Sequence, residues 1–179
     1  MSQVIIAGDT SGTITLQAPA VSGSTTITLP AATGTMMVSG NMPAFSAYLS
    51  ASQTITSNVN TKIAFDTEQF DTNSCYNTTN YRFTPNVAGY YFINLNFWSG
   101  GATPVVSRYN GKIYKNGSEF FRINDLLTGY GTVGGCLMYL NGTTDYVEAY
   151  ANITTTGTAI IEGASPNINV FQGYMVRTA

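Results

Sequence analysis

Catalysis needs side chains that move protons, attack carbon or hold ions, and this chain is poor in all three. It contains no histidine, so the commonest general base and the commonest metal ligand are missing. The densest acidic group is Asp66-Thr67-Glu68-Gln69-Phe70-Asp71. Carboxylates at this spacing could hold calcium. Without an Asp-x-Asp-x-Asp-Gly pattern or a suitably spaced Glu, however, the segment reads as a solvated turn between strands. Asp145, Glu148 and Glu162 are scattered and meet only if the fold brings them together. Glycoside hydrolysis needs two carboxylates at a defined separation, and nine acidic residues always supply some pair, so their presence argues for nothing. Ser and Thr are abundant, but there is no Gly-x-Ser-x-Gly elbow and no base to activate a hydroxyl. Gly129-Tyr130-Gly131-Thr132-Val133-Gly134-Gly135 lacks the Lys and the strand-to-helix setting of a phosphate loop and reads as a mobile or tightly turned loop. Cys75 and Cys136 are two cysteines in a large chain, read as buried free thiols rather than a disulfide framework. Sequons at Asn77, Asn116, Asn141 and Asn152 are about the number that this much Asn, Ser and Thr produces by chance. Arg108, Lys112, Lys115 and Arg122 form a loose cluster, read as a solvated hairpin, or functionally as a positive rim that docks on an acidic neighbour. The expectation is a protein with no catalytic residues, no cofactor and no metal.

The elements around these residues are those of an all-β protein. With 44% hydrophobic and 12% aromatic residues in 179, the chain has apolar mass for a full core. Only 9% of residues are charged, against about 25% in ordinary globular proteins. A net charge of −2 argues against a nucleic-acid partner, which demands clustered cations. No stretch approaches the roughly 18 apolar residues of a membrane helix, and Met1–Ile6 has no basic region of the kind that opens a signal peptide.

Charge is absent between Asp9 and Lys62. Within that stretch Thr13-Ile14-Thr15-Leu16 recurs as Thr26-Ile27-Thr28-Leu29, each copy followed by Pro-Ala and Gly. This reads as an extended arm of short β segments over residues 1–42. Ile14, Leu16, Ile27 and Leu29 are its contact residues, and it becomes ordered against neighbouring subunits. Gly40-Asn41-Met42-Pro43 reads as a hinge. Ten strand-like runs follow, at 45–49, 61–66, 81–84, 90–98, 111–116, 118–123, 135–141, 145–153, 158–162 and 168–176. The pairs Asn110-Gly111, Asn116-Gly117 and Asn141-Gly142 are read as tight turns. No capped amphipathic helix is evident. Such a pattern predicts a sandwich or barrel, jelly rolls included.

The run Tyr90–Trp98 alternates. Tyr91, Ile93, Leu95 and Phe97 form a core face. Tyr90, Phe92 and Trp98 share the other face with Asn94 and Asn96, aromatic and uncharged, which suits a seam between subunits better than open water. Tyr90, Phe92 and Trp98 are therefore the candidate trimer interface.

Residues 43–179 resemble the C1q/tumour-necrosis-factor jelly-roll family. Pro43-Ala44-Phe45-Ser46-Ala47-Tyr48-Leu49 is similar to its first strand, and Lys62-Ile63-Ala64-Phe65 with Phe70-Asp71 to its next segment. Tyr81-Arg82-Phe83-Thr84-Pro85-Asn86-Val87-Ala88-Gly89-Tyr90-Tyr91-Phe92 resembles the family's F-x-P-x-x-G-x-Y-x-F block. Ile113-Tyr114-Lys115-Asn116-Gly117 and Phe171-Gln172-Gly173-Tyr174-Met175 resemble its K-N-G turn and closing strand. The resemblance implies a ten-stranded jelly-roll sandwich that assembles as a homotrimer. Gly8–Leu16 and Thr28–Gly34 resemble N-terminal segments of tailed-bacteriophage structural proteins. Together the two resemblances imply a trimeric capsid decoration or cement protein. It would be made in the host bacterial cytoplasm, displayed on the virion surface and joined by its arm to the major capsid protein. The alternative is a tail-fibre or tail-tip module, joined to tail proteins, with loops 99–109 and 124–134 binding a host receptor.

Overall fold

The structure is a computed structural model. It describes residues 3–8, 10–17, 20–21, 23–24, 26–28, 31, 33–34, 36–100, 106–126, 131–163 and 168–179. The chain divides into two compact units, Met1–Gly34 and Thr35–Ala179.

The first unit holds a hairpin of β1 (Gln3–Ala7) and β2 (Thr13–Gln17). Val4 lies opposite Leu16 and Ile6 opposite Ile14, so four aliphatic side chains share one face, all at least half exposed. Gly12, at φ +80°, supplies the left-handed residue of the turn. The second copy of the repeat is not a strand: Thr26–Thr28 have no ladder, and Ile27 is exposed. Leu29 lies outside the described residues.

The second unit opens with a 3-10 turn, Ser39–Asn41. This is where a hinge was expected, and the turn is instead tied to the unit that follows. Asn73 Nδ2 donates to Gly40 O (3.1 Å), Asn41 Oδ1 accepts from Val38 N (2.8 Å), and Met37 packs against the core. The strands are β3 (Ala44–Tyr48), β4 (Gln53–Ile55), β5 (Thr61–Lys62), β6 (Thr67–Asp71), β7 (Tyr76–Asn77), β8 (Arg82–Phe83), β9 (Gly89–Gly100), β10 (Val106–Lys115), β11 (Ser118–Leu126), β12 (Gly131–Leu140), β13 (Val147–Thr155), β14 (Ala159–Ile161) and β15 (Val170–Thr178). One sheet runs β4-β14-β9-β15-β3-β6, with β12 on the other side of β9; the second runs β11-β10-β13-β8-β7, with β5 also pairing β13. No helix among the described residues is long and apolar enough to cross a membrane.

The two sheets close on one aromatic core. Phe45 of β3 stacks on Phe83 of β8 (4.3 Å) and on Tyr76 of β7 (5.1 Å), and meets Phe171 of β15 edge-on (5.1 Å). Tyr91, Ile93, Leu95 and Phe97 of β9 are all at 0% exposure. The buried hydroxyls have partners: Tyr76 donates to Phe65 O (2.8 Å) and Tyr91 to Val87 O (2.6 Å).

All ten expected runs contain strand, although in 61–66 only Thr61 and Lys62 pair. Three of the local readings are corrected. Residues 67–71 form the edge strand β6 instead of a turn. Asn110-Gly111 is not a turn but lies within β10. There a Cβ on Gly111 would sit 2.5 Å from Thr132 Cγ2, so close packing of β10 on β12 demands the glycine. Gly131–Gly135 are strand, not loop. A Cβ on Gly134 would meet Ile123 Cγ2 at 2.5 Å, and one on Gly135 would meet Ile93 O at 2.3 Å. Asn116-Gly117 does form the expected two-residue turn, at φ +52° and +78°.

Candidate functional site

The carboxylates expected to be solvated are occupied by local structure. Asp66 accepts from Ser50 N (2.8 Å) and Ser50 Oγ (2.6 Å), and Asp71 from Tyr76 N (2.7 Å) and Asn73 N (3.3 Å). Asp145, Glu148 and Glu162 are held by separate partners. Asp145 pairs with Lys115 (2.9 Å) and accepts from Asn116 Nδ2 (2.8 Å). Glu148 Oε1 receives both Lys62 Nζ (2.8 Å) and Arg82 Nε (2.7 Å), and Glu162 accepts from Ser52 Oγ (3.3 Å). Burial opposes the charge of Asp145, but hydrogen bonds from Asn116, Lys115 and the Asn141 amide outweigh it and hold the carboxyl below its ordinary range. Among the described residues no group of three or more His, Cys, Asp or Glu could hold a metal ion. Both cysteines are free and buried, and burial pushes the Cys136 thiol up to about 11.

The expected positive rim is also spent within the chain. Lys112 is buried, and both it and Arg122 bind Glu119 (2.8 Å each). Lys115 binds Asp145.

What remains is a contrast between the two sheets. Lys62, Arg82, Arg108, Lys112, Lys115 and Arg122, six of the seven cations, belong to β5, β8, β10 and β11 of the second sheet. On the first sheet β3, β4, β9, β12 and β14 carry no charge at all, and β15 carries only Arg177.

The outward face of β12-β9-β15 is the candidate site. Tyr90 of β9 lies between Tyr139 of β12 and Arg177 of β15, Phe92 between Leu137 and Tyr174, Asn94 between Gly135 and Gln172, and Asn96 between Val133 and Val170. Tyr90 and Tyr139 meet edge-on at 5.6 Å, and Phe92 and Tyr174 lie tilted against each other at 6.0 Å. Val133 is 64% exposed, Leu137 56%, Tyr174 54% and Trp98 45%. These are the exposures of apolar side chains on an unbroken pleat, and such a patch is rare on a monomer. Arg177 lies 4.3 Å over the Tyr90 ring, and Lys115 Nζ donates to Tyr139 O (2.8 Å), so cations mark one end of the patch.

Tyr90, Phe92 and Trp98 therefore share one face. The sequence reading missed their neighbours Val133, Leu137 and Tyr139 on β12 and Tyr174 and Val176 on β15. The alternation within 135–141 carried the β12 signal, but it acquires meaning only once β12 is known to flank β9. Ile14 and Leu16 are on the hairpin of the first unit, on the exposed face described above.

Two antiparallel sheets around one aromatic core, with an outer face on one of them that is aromatic and aliphatic and charged only at one end, define a β-sandwich of the jelly-roll class. The C1q domain matches residues 44–176, and the chain belongs to the C1q domain family. The fold is similar to that of murine APRIL (8% identity, TM-score 0.55, covering 75% of this chain and 99% of that one). It is also similar to the globular domain of zebrafish complement 1qA protein (17%, 0.51, 76% and 99%) and to Eiger TNF from S. frugiperda (8%, 0.55, 77% and 93%). No curated protein matches the sequence.

Proposed function

We propose that this protein is a non-enzymatic structural head that works as a homotrimer and is joined through its N-terminal arm to the capsid of a tailed bacteriophage, as a decoration or cement protein. Domains of this family generally form homotrimers and generally serve as binding or structural modules. One observation in this chain carries the reading: six of the seven cations lie on one sheet, while β9, β12 and β3 of the other carry no charge. Water penalises an exposed aromatic and aliphatic face, and identical copies related by closed symmetry cover it without leaving a surface free to polymerise. The capsid rests on the arm: its resemblance to phage structural proteins, and the exposed aliphatic face of Val4, Ile6, Ile14 and Leu16. Three arms on one trimer bind with avidity even where each contact is weak.

Sedimentation of the full chain at micromolar concentration is expected to give three times the 19.1 kDa chain mass; a lone 19.1 kDa species refutes the trimer. Deleting residues 1–34, the first compact unit, is expected to leave a folded trimer that no longer attaches to particles. Normal decoration by the truncated protein refutes the arm assignment. A copy number per particle in the hundreds fits capsid decoration, whereas a few to tens refutes it in favour of a tail module.

A further inference from the structure

The second sheet has an outer face of its own. Ile113, Ala149 and Ala151 point into the core at 0% exposure. Their alternates, Lys112 and Tyr114 on β10 and Glu148 and Tyr150 on β13, therefore stand on the opposite face. The register sets these residues in two rows. Arg122 of β11 lies opposite Lys112, Lys112 opposite Tyr150, and Tyr150 opposite Lys62 of β5. In the next row Glu119 lies opposite Tyr114, and Tyr114 opposite Glu148. The Tyr114 and Tyr150 rings stack at 3.9 Å, so a tyrosine pair stands between two groups of charges.

Each group is one carboxylate shared by two cations. Glu148 Oε1 takes Lys62 Nζ and Arg82 Nε, and Glu119 takes Lys112 Nζ and Arg122 Nη2. These contacts are internal, yet they do not cancel the charge. Four cations against two carboxylates leave a surplus of two positive charges on this strip, in a chain whose net charge is −2. The Glu148 side chain is 2% exposed, against 28% for Lys62 and 35% for Arg82, so the cations of that group meet the solvent and the carboxylate does not. Arg82 also lies 4.0 Å over the Tyr146 ring. Glu148 and the ring hold the guanidinium in place, and its Nη1 and Nη2 have no hydrogen-bond partner among the described residues. A fixed guanidinium with an unspent edge is a fork for a planar oxyanion.

Charge and spacing select the occupant. Each group has one surplus positive charge, which matches a carboxylate, whereas a phosphate monoester brings about −1.5 to −2. Lys62 and Lys112 flank Tyr150 two strand spacings apart, about 10 Å, so a ligand serving both groups carries carboxylates on separate units. Between the groups it crosses tyrosine rings, whose negative faces attract the polarised C–H bonds of a sugar. We propose that this face binds an acidic oligosaccharide of the uronate type. Its carboxylates meet the Arg82–Lys62 and Arg122–Lys112 groups, and an intervening sugar ring lies against Tyr150 and Tyr114. The site is on the other sheet from the β12-β9-β15 face, and the inference goes beyond the capsid reading without depending on it.

The test is isothermal titration calorimetry of the full chain with a galacturonate oligosaccharide. A maltooligosaccharide of the same length, its phosphorylated form and a polyglutamate peptide serve as the comparison probes. The uronate is expected to bind at least about tenfold more tightly than any of the three, and to weaken as salt is raised. Arg82→Gln, Arg122→Gln and Tyr150→Ala are each expected to weaken it about fivefold or more. Arg177→Gln, which removes a cation of the first sheet, should leave it unchanged. Thermal melting checks folding, and Arg122, the most exposed of the four cations at 46%, keeps the test readable if Arg82→Gln does not fold. No binding of the uronate at millimolar concentration, or equal binding of the neutral sugar, overturns the proposal. Equal binding of polyglutamate assigns the face to an acidic protein and overturns the sugar, and equal binding of the phosphorylated sugar overturns the carboxylate. An equal loss in Arg177→Gln overturns the location.

Discussion

Leu137→Ala isolates the energy of the seam from the stability of the fold. Fully burying a Leu side chain contributes about 1.5–3 kcal/mol. Leu137 is 56% exposed within one chain, so about half of that, roughly 1 kcal/mol after allowing for the methyl that Ala retains, is available to a partner copy. Three copies of the site per trimer make about 3 kcal/mol, or two orders of magnitude in the association constant. The melting temperature of the dissociated monomer should hardly move, because little is lost inside the chain. Phe120→Ala is the control: Phe120 is similarly exposed at 49% but sits on β11 of the charged sheet, and its loss should leave association unchanged. Sedimentation velocity on a dilution series reads both. If the two substitutions weaken association equally, or Leu137→Ala leaves it untouched, the face has been wrongly identified.

Further outcomes follow from the same contacts. Phe92→Lys or Trp98→Lys places a charge in the seam and should give monomers or insoluble protein; an intact soluble trimer from either removes the interface argument. Glu148→Ala strands Lys62 and Arg82, but both cations retain water access at 28% and 35% side-chain exposure. The loss in urea denaturation should therefore be about 2–3 kcal/mol, at or below the low end for a broken buried pair, with Glu148→Gln milder. Asp66, Glu119 and Asp145 all have carboxyls held below their ordinary range. Their stabilisation is fully present above the unfolded value of about 4 and is lost as pH falls through the lower folded values. The melting temperature should be flat from pH 8 to about 5 and drop below about 4. Asp145→Asn should shrink that drop, and an unchanged acid profile would count against the assignment.

How much the sequence disclosed depended on whether the cause was local. Tyr91, Ile93, Leu95 and Phe97 alternate because a half-buried strand requires it, and the opposite aromatics Tyr90, Phe92 and Trp98 were visible for the same reason. The F-x-P-x-x-G-x-Y-x-F block and the K-N-G turn set the family before any coordinate. Long-range causes were hidden. Asn110-Gly111 has the composition of a turn, yet the approach of Thr132, twenty-odd residues away, decides that Gly111 is strand. Gly131 and Gly135 look like breakers, but β9 backbone atoms leave no room for a Cβ there. Lys62 and Glu148 are 86 positions apart, a separation that no spacing rule reads. β4, β6 and β7 are so short, or so polar on the edge, that periodicity gives them no signal.

The place of β15 has a consequence for synthesis. β3 and β9 do not pair with each other; each bonds to β15, residues 170–178, which sits between them. On the ribosome the earlier strands emerge with a gap down the middle of their sheet, and the paired β9 and β12 have no neighbour on the β15 side. Closure waits until Val170–Thr178 clears the exit tunnel, and it proceeds through contacts of high sequence separation. A nascent chain stalled before residue 170 should therefore recruit holding chaperones, and emergence of the nine-residue β15 should end that dependence.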